Sequence, residues 1–144
     1  MYNYSAGYPG GSGGVTVTLN SDLTVLNNFT ITYAAGYTRS FSAGSYTLTV
    51  GGNFANNDTF TAGTGTVVFN DASKVSTISG NTTFNVLQCL TPDKTVKFTA
   101  GTTTTVASFD FTGAAGQLII LDTNTGASTF TLSDSAGTNQ VEYC

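Results

Sequence analysis

Histidine and tryptophan are absent, and charge is scarce. Without histidine the chain cannot build an imidazole-based triad, and it lacks the commonest zinc ligand. Charged residues make up 8% of the chain, against roughly a quarter in an ordinary soluble domain. The only bases are Arg39, Lys74, Lys94 and Lys97, set against eight acids for a net charge of −4. No basic stripe is available to displace counterions from phosphate, which argues against nucleic-acid binding. No apolar run approaches the roughly 20 residues of a membrane-crossing helix, so no membrane span is expected. The opening stretch, Met1 to Gly14, is rich in Tyr, Gly and Ser and lacks the basic and apolar regions of a signal peptide. Two cysteines, Cys89 and Cys144, define no disulfide framework. Cys89 reads as a small buried apolar residue, and Cys144 as a free thiol or a bridge to a neighbouring subunit. Tandem calcium-binding glycine–aspartate repeats are missing too, so neither a metal nor a cofactor is expected.

What fills the chain instead is Thr, Ser, Asn and Gly around an apolar fraction of 40%. Val15-Thr-Val-Thr-Leu19, Phe29-Thr-Ile-Thr-Tyr33 and Tyr46-Thr-Leu-Thr-Val50 alternate apolar and polar residues at period two. That is the pattern of a half-buried strand, apolar side in and Thr out. By this alternation Tyr33 and Tyr46 point inward. Further strands are predicted at 66–70, 83–89, 95–100, 105–112, 118–122, 129–133 and 141–144. Turn formers separate them, among them Gly51-Gly-Asn53, Asn56-Asn-Asp58, Gly80-Asn81 and Thr91-Pro-Asp93.

Internal repetition sets the architecture. Phe41-Ser-Ala-Gly44, Phe60-Thr-Ala-Gly63 and Phe98-Thr-Ala-Gly101 align at offsets of 19 and 38 residues. A repeat near 20 residues marks a solenoid, in which stacked coils bury what no single coil can. The expectation is an all-β parallel β-helix of roughly seven coils of about 19 residues. The alternation alone also permits an antiparallel β-sandwich. The solenoid domain would run over 15–144, preceded by a Tyr/Gly-rich N-terminal arm over 1–14.

Tyr46-Thr-Leu-Thr-Val-Gly-Gly-Asn-Phe54, Thr59-Phe-Thr-Ala-Gly-Thr-Gly-Thr-Val-Val-Phe-Asn70 and Ile78-Ser-Gly-Asn-Thr-Thr-Phe84 resemble the repeats of large secreted bacterial β-solenoid surface proteins. These are adhesins of the filamentous-haemagglutinin-like and autotransporter-like kind. The resemblance covers about Val15 to Cys144. It implies parallel β-helical coils, an extracellular or cell-surface location and no common catalytic residues.

The acids give little sign of an enzyme. Most sit beside Asn, Ser, Gly or Pro as turn formers. Asp110 lies between Phe109 and Phe111, facing away from both rings, and no acids converge in sequence as a catalytic pair requires. The function expected is a non-catalytic extracellular structural protein that polymerises with itself head to tail. Its support is a last segment that still reads as a strand, because an open edge recruits another strand. Candidate subunit contacts are Tyr2, Tyr4 and Tyr8 on the arm and Val141, Tyr143 and Cys144 at the other end. An adhesin or phage-fibre-like segment binding surface glycans is the second expectation. A more distant one is ice binding through outward rows at Thr30/Thr32, Thr47/Thr49 and Thr64/Thr66. The same threonines are better explained as ordinary outward strand residues. Asn3, Asn28, Asn57 and Asn81 begin glycosylation sequons. At 19 residues per coil, Cys89 and Cys144 would lie about three coils apart, beyond the roughly 7 Å reach of a disulfide.

Overall fold

Period-two alternation over segments of three to five residues makes strands too short to bury much alone, so stability has to come from stacking. The computed structural model describes residues 14–33, 35–126, 128–135 and 139–144, and residues 4–6 by their backbone. Its strands stack on three faces. Face A carries β1 (Tyr4–Ala6), β4 (Phe29–Ile31), β7 (Phe54–Asn56), β10 (Val75–Ser79), β12 (Thr95–Phe98) and β14 (Ile120–Thr123). Face B carries β2 (Val15–Thr18), β5 (Arg39–Ser42) and β8 (Thr59–Thr61). Face C carries β3 (Leu23–Val25), β6 (Thr47–Val50) and β9 (Thr66–Phe69). Two longer strands, β11 (Thr82–Cys89) and β13 (Thr103–Thr112), then run across both B and C. Above them β15 (Thr131–Asp134) closes face B and β16 (Gln140–Glu142) closes face C. One A, one B and one C segment make a rank, and six ranks complete about five turns.

Every ladder between these strands is parallel. The fold is therefore the parallel β-solenoid, and the antiparallel sandwich is excluded. The coil is longer than the repeat suggests. Phe29, Phe54, Ile78, Phe98 and Thr123 stand in register on face A, so a turn takes about 24 residues rather than 19, and the turns number about five rather than seven. Phe41 does pair with Phe60, 19 residues on. Phe98, however, pairs with Ile78 on face A. The Phe-x-Ala-Gly motif marks a turn, and the chain uses that turn at two different corners.

The core is a column of rings and branched side chains. Phe29 stacks on Phe54 with centroids 5.1 Å apart, and Phe54 meets Phe84 edge-on at 5.1 Å. Leu48, Val50, Phe69, Leu87, Cys89, Val96, Val106 and Phe111 fill the remaining interior. Tyr33 departs from its alternation: β4 ends at Ile31, the chain leaves the face, and Tyr33 is 64% exposed. Tyr46 is only half-buried, at the corner between faces B and C.

Candidate functional site

The B-to-C corner is built in two ways, and the difference shapes the surface. In the second and third ranks it is a four-residue loop, Ala43-Gly-Ser-Tyr46 and Ala62-Gly-Thr-Gly65. Gly44 (φ 63°) and Gly63 (φ 59°) adopt the left-handed conformation that favours glycine. The loops stack directly: the Ala43 amide donates to the Thr61 carbonyl at 2.9 Å and the Thr64 amide to the Gly44 carbonyl at 2.8 Å. A Cβ on Gly63 would run into that same Gly44 carbonyl. In the fourth and fifth ranks the loop is missing. Along β11 the inward residues are Thr82, Phe84, Leu87 and Cys89, so the alternation slips by one at Asn85-Val86. Along β13 the same slip falls at Ala107-Ser108. The bend is made inside a continuous strand.

Two ranks without loops, above ranks that have them, leave a notch. It has a volume of about 350 Å³. Phe60, Thr61 and Gly63 form its lower wall, Thr83 and Asn85 its floor, and Ser135 its upper lip. The face-B ladder is interrupted here: β8 pairs with β5 below and with no strand above. The rings bridge the interruption inside, with Phe60 and Phe84 centroids 5.6 Å apart. Asn85 Nδ2 donates to the Gly65 carbonyl at 3.3 Å, occupying part of the space a loop would have filled.

The C-to-A corner holds both lysines that the sequence places in turns. Lys94 is fully buried. Its Nζ donates to the Asp71 carbonyl at 2.9 Å, the Lys74 carbonyl at 2.7 Å and Ser76 Oγ at 2.7 Å. An ammonium has three donors, and all three are used. Burial holds its pKa below the ordinary lysine value. Lys74 Nζ reaches down two ranks to the Leu26 carbonyl at 2.8 Å and pairs with Asp71 Oδ2 at 2.6 Å. Gly51 and Gly52 make room at this corner, since a Cβ on Gly51 would strike the Leu26 carbonyl. The two lysines thus tie three ranks together. Neither participates in alternation, so strand periodicity carries no sign of this arrangement. The scarcity of bases was the one sequence signal that could have directed attention to Lys94.

Corner amides also join neighbouring coils. Asn28 Oδ1 accepts from the Asn53 amide at 2.9 Å, and Asn53 Oδ1 from the Thr77 amide at 2.9 Å. Asn81 and Asn124 do the same for Thr103 and Ala100. Residues read only as turn formers are thus also inter-coil acceptors.

The threonine rows anticipated from sequence do not form one array. Thr30 and Thr32 belong to face A and the corner after it, Thr47, Thr49 and Thr66 to face C, and Thr64 to a loop. Thr47 and Thr66 are in register, but the partner of Thr49 is Val68 and that of Thr30 is Ala55. Stacked hydroxyls occur instead on face B, where Thr16, Ser40 and Thr59 align, then Thr83, Thr105 and Ser133 beyond the notch.

Of the candidate subunit contacts, Tyr2 and Tyr8 lie outside the described residues. Tyr4 starts β1 and pairs with Phe29, which makes its segment the first strand of face A. Val141 pairs with Phe111 and is 52% exposed, Tyr143 is similarly exposed, and the Cys144 thiol lies 3.4 Å from the Phe111 carbonyl. Cys89 pairs with Phe111 and Phe111 with Val141, so the two cysteines are two ranks apart rather than three. Both thiols are free. Asp110 accepts from Gln88 Nε2 and Thr112 Oγ1, and Lys97 pairs with Asp122 at 2.9 Å. Among the described residues no three His, Cys, Asp or Glu gather as a metal site. The chain matches no protein family, no curated protein and no solved structure.

Proposed function

We propose that the chain is a non-catalytic, extracellular structural unit whose stack associates end to end with further copies. One observation carries this reading: inward-facing apolar residues are mostly covered in the middle ranks, and several are only half-covered at both ends. Val17 and Leu23 are half-buried, whereas Phe41 and Leu48, their partners one rank in, are fully buried. At the far end Leu121, Phe130 and Leu132 are half-buried, and Val141 and Tyr143 are about half exposed. Parallel edges have opposite characters at the two ends, so the far edge of one copy suits the near edge of the next. The contact is then heterologous and propagates.

Magnitudes favour a joint that engages the whole end. Covering one aliphatic side chain stabilises by about 1.5–3 kcal/mol. Association costs roughly 4–15 kcal/mol in lost freedom. Two or three half-covered side chains fall short of that, while both apolar rims together reach its range. Light scattering and negative-stain microscopy on the purified chain test the reading. Filaments or concentration-dependent growth, suppressed by Val141→Lys with Tyr143→Lys, are expected. A strict monomer at high concentration would sink it.

A second reading, a segment that binds a surface, is favoured by Tyr33 and Tyr37. Both are exposed on the stretch between β4 and β5. A glycan array comparing the native chain with Tyr33→Ala tests this reading.

A further inference from the structure

We infer that the notch between the third and sixth ranks is a binding site for a neutral pyranose sugar. This goes beyond end-to-end association and needs neither end of the stack. The notch is built by the fold: two ranks turn the B-to-C corner without a loop, and the Ala62–Gly65 loop of the third rank projects past them. Its volume of about 350 Å³ falls within the span of small-ligand sites, roughly 300–1,000 Å³.

The lining selects the ligand class. No charged side chain lines the notch, so a charged ligand would surrender hydration without a partner. A purely apolar ligand is equally disfavoured, because it would cover the Thr61, Thr83 and Ser135 hydroxyls and the Asn85 amide. A pyranose satisfies both demands. Its hydroxyls exchange hydrogen bonds with hydroxyl groups, which donate and accept alike. Its C–H face can lie against the half-buried Phe60 ring in the lower wall. Asn85 Nδ2 is already directed at the Gly65 carbonyl at 3.3 Å, which orients the amide and leaves Oδ1 as the acceptor. Ser135 Oγ donates to the Val106 carbonyl at 2.9 Å, which fixes the upper lip over the floor. Because β8 has no ladder partner above it, the lower wall also presents a strand edge rather than a closed sheet. Thr61, Thr83 and Asn85 are held within strands, so the lower wall and floor are formed before ligand arrives.

The test uses the full chain labelled with ¹⁵N. It is titrated with the methyl glycosides of glucose, galactose, mannose and N-acetylglucosamine, then applied to an array holding neutral, sialylated and sulfated glycans. Shifts confined to Thr61, Gly63, Thr83, Asn85 and Ser135 are expected, together with retention on neutral glycans. Thr83→Trp, an exposed floor position, fills the notch and should abolish both effects while leaving amide shifts elsewhere in place. Asn85→Asp, which keeps the shape, should weaken binding. Tyr33→Ala should leave it unchanged, which separates this site from the exposed tyrosines. Three results would each overturn the inference: no neutral sugar bound in either assay, binding undiminished in Thr83→Trp, or retention of charged glycans alone.

Discussion

The second and third ranks and the two above them turn the same corner by different means. Below, Ala-Gly loops with left-handed glycines stack carbonyl to amide. Above, β11 and β13 bend by slipping their alternation, with Asn85 hydrogen-bonded to the last loop beneath. The lower design holds the corner through backbone geometry and glycine. The upper one depends on specific side chains, and the buried Lys94 sits at its opposite corner, below the fifth rank. Coil length does not track the corner design: face C advances 25 and 19 residues in the looped ranks, then 20 and 22 where the loop is lost. A solenoid can therefore keep its core column intact while changing how its corners are made. The notch is the surface consequence.

The strongest way to break the comparison is to remove the pin on the upper side. Lys94→Met keeps the stem and deletes the ammonium, leaving the Asp71 and Lys74 carbonyls and the Ser76 hydroxyl without their shared donor. Buried groups left unsatisfied cost about 1–3 kcal/mol each, and some will find water or relax, so a loss of about 2–4 kcal/mol is expected in urea melts. A loss near zero would mean the upper ranks do not depend on the lysine.

The next effect belongs to the lower design. Gly63→Ala combines a left-handed residue with a collision against the Gly44 carbonyl, and should cost about 1–3 kcal/mol. Gly101 offers the internal control. It shares the left-handed conformation (φ 74°) but has open space around it, so Gly101→Ala should cost only the conformational preference, about 1 kcal/mol. Equal costs in thermal melts would show that loop stacking contributes nothing beyond the conformation of its glycine.

How much of this was legible in the sequence depends on what each feature requires. Strands such as Val15–Thr18, Thr47–Val50 and Thr95–Phe98 announce themselves by alternation, because burial of one side is a local property. Tyr4–Ala6, Leu23–Val25, Arg39–Ser42, Phe54–Asn56, Thr59–Thr61 and Val75–Ser79 were missed: most are three or four residues long and abut turn formers that look like loop. Missing strands in the first four ranks shortens the apparent coil, and the recurrence of Ala-Gly turns at two corners then reinforced the wrong spacing. Lys94 and the notch were not legible. The burial of Lys94 is decided by carbonyls 20 and 23 residues earlier. The notch requires knowing which ranks lack a loop, and that needs the correct register first.

The smallest effect separates the two lysines by the pH window in which each acts. The Lys74 ammonium and the Ser73 hydroxyl beside Asp71 hold its carboxyl down from 3.8 to about 2. A carboxylate depressed on folding contributes stability that is present above its ordinary pKa and lost as pH falls toward the folded value. The Asp71–Lys74 clasp should therefore weaken between pH 3.8 and about 2, and Asp71→Asn should flatten that part of the acid limb. Asp122, lowered by its hydrogen bond with Lys97, adds a term of the same sign that the Asp71→Asn variant retains. Because the clasp is solvent-exposed, high salt should shrink the difference further. Lys94 works in the same direction but in a different pH window. Burial depresses its pKa below 10.5, so its protonation on the way down from alkaline pH opposes folding, and stability attributable to it rises as pH rises toward 10.5. Melting temperatures across pH for the native chain, Asp71→Asn and Lys94→Met would resolve the two. If Lys94→Met altered only the acid limb, the lysine pin and the aspartate clasp would be one coupled unit rather than two devices at successive turns of one corner.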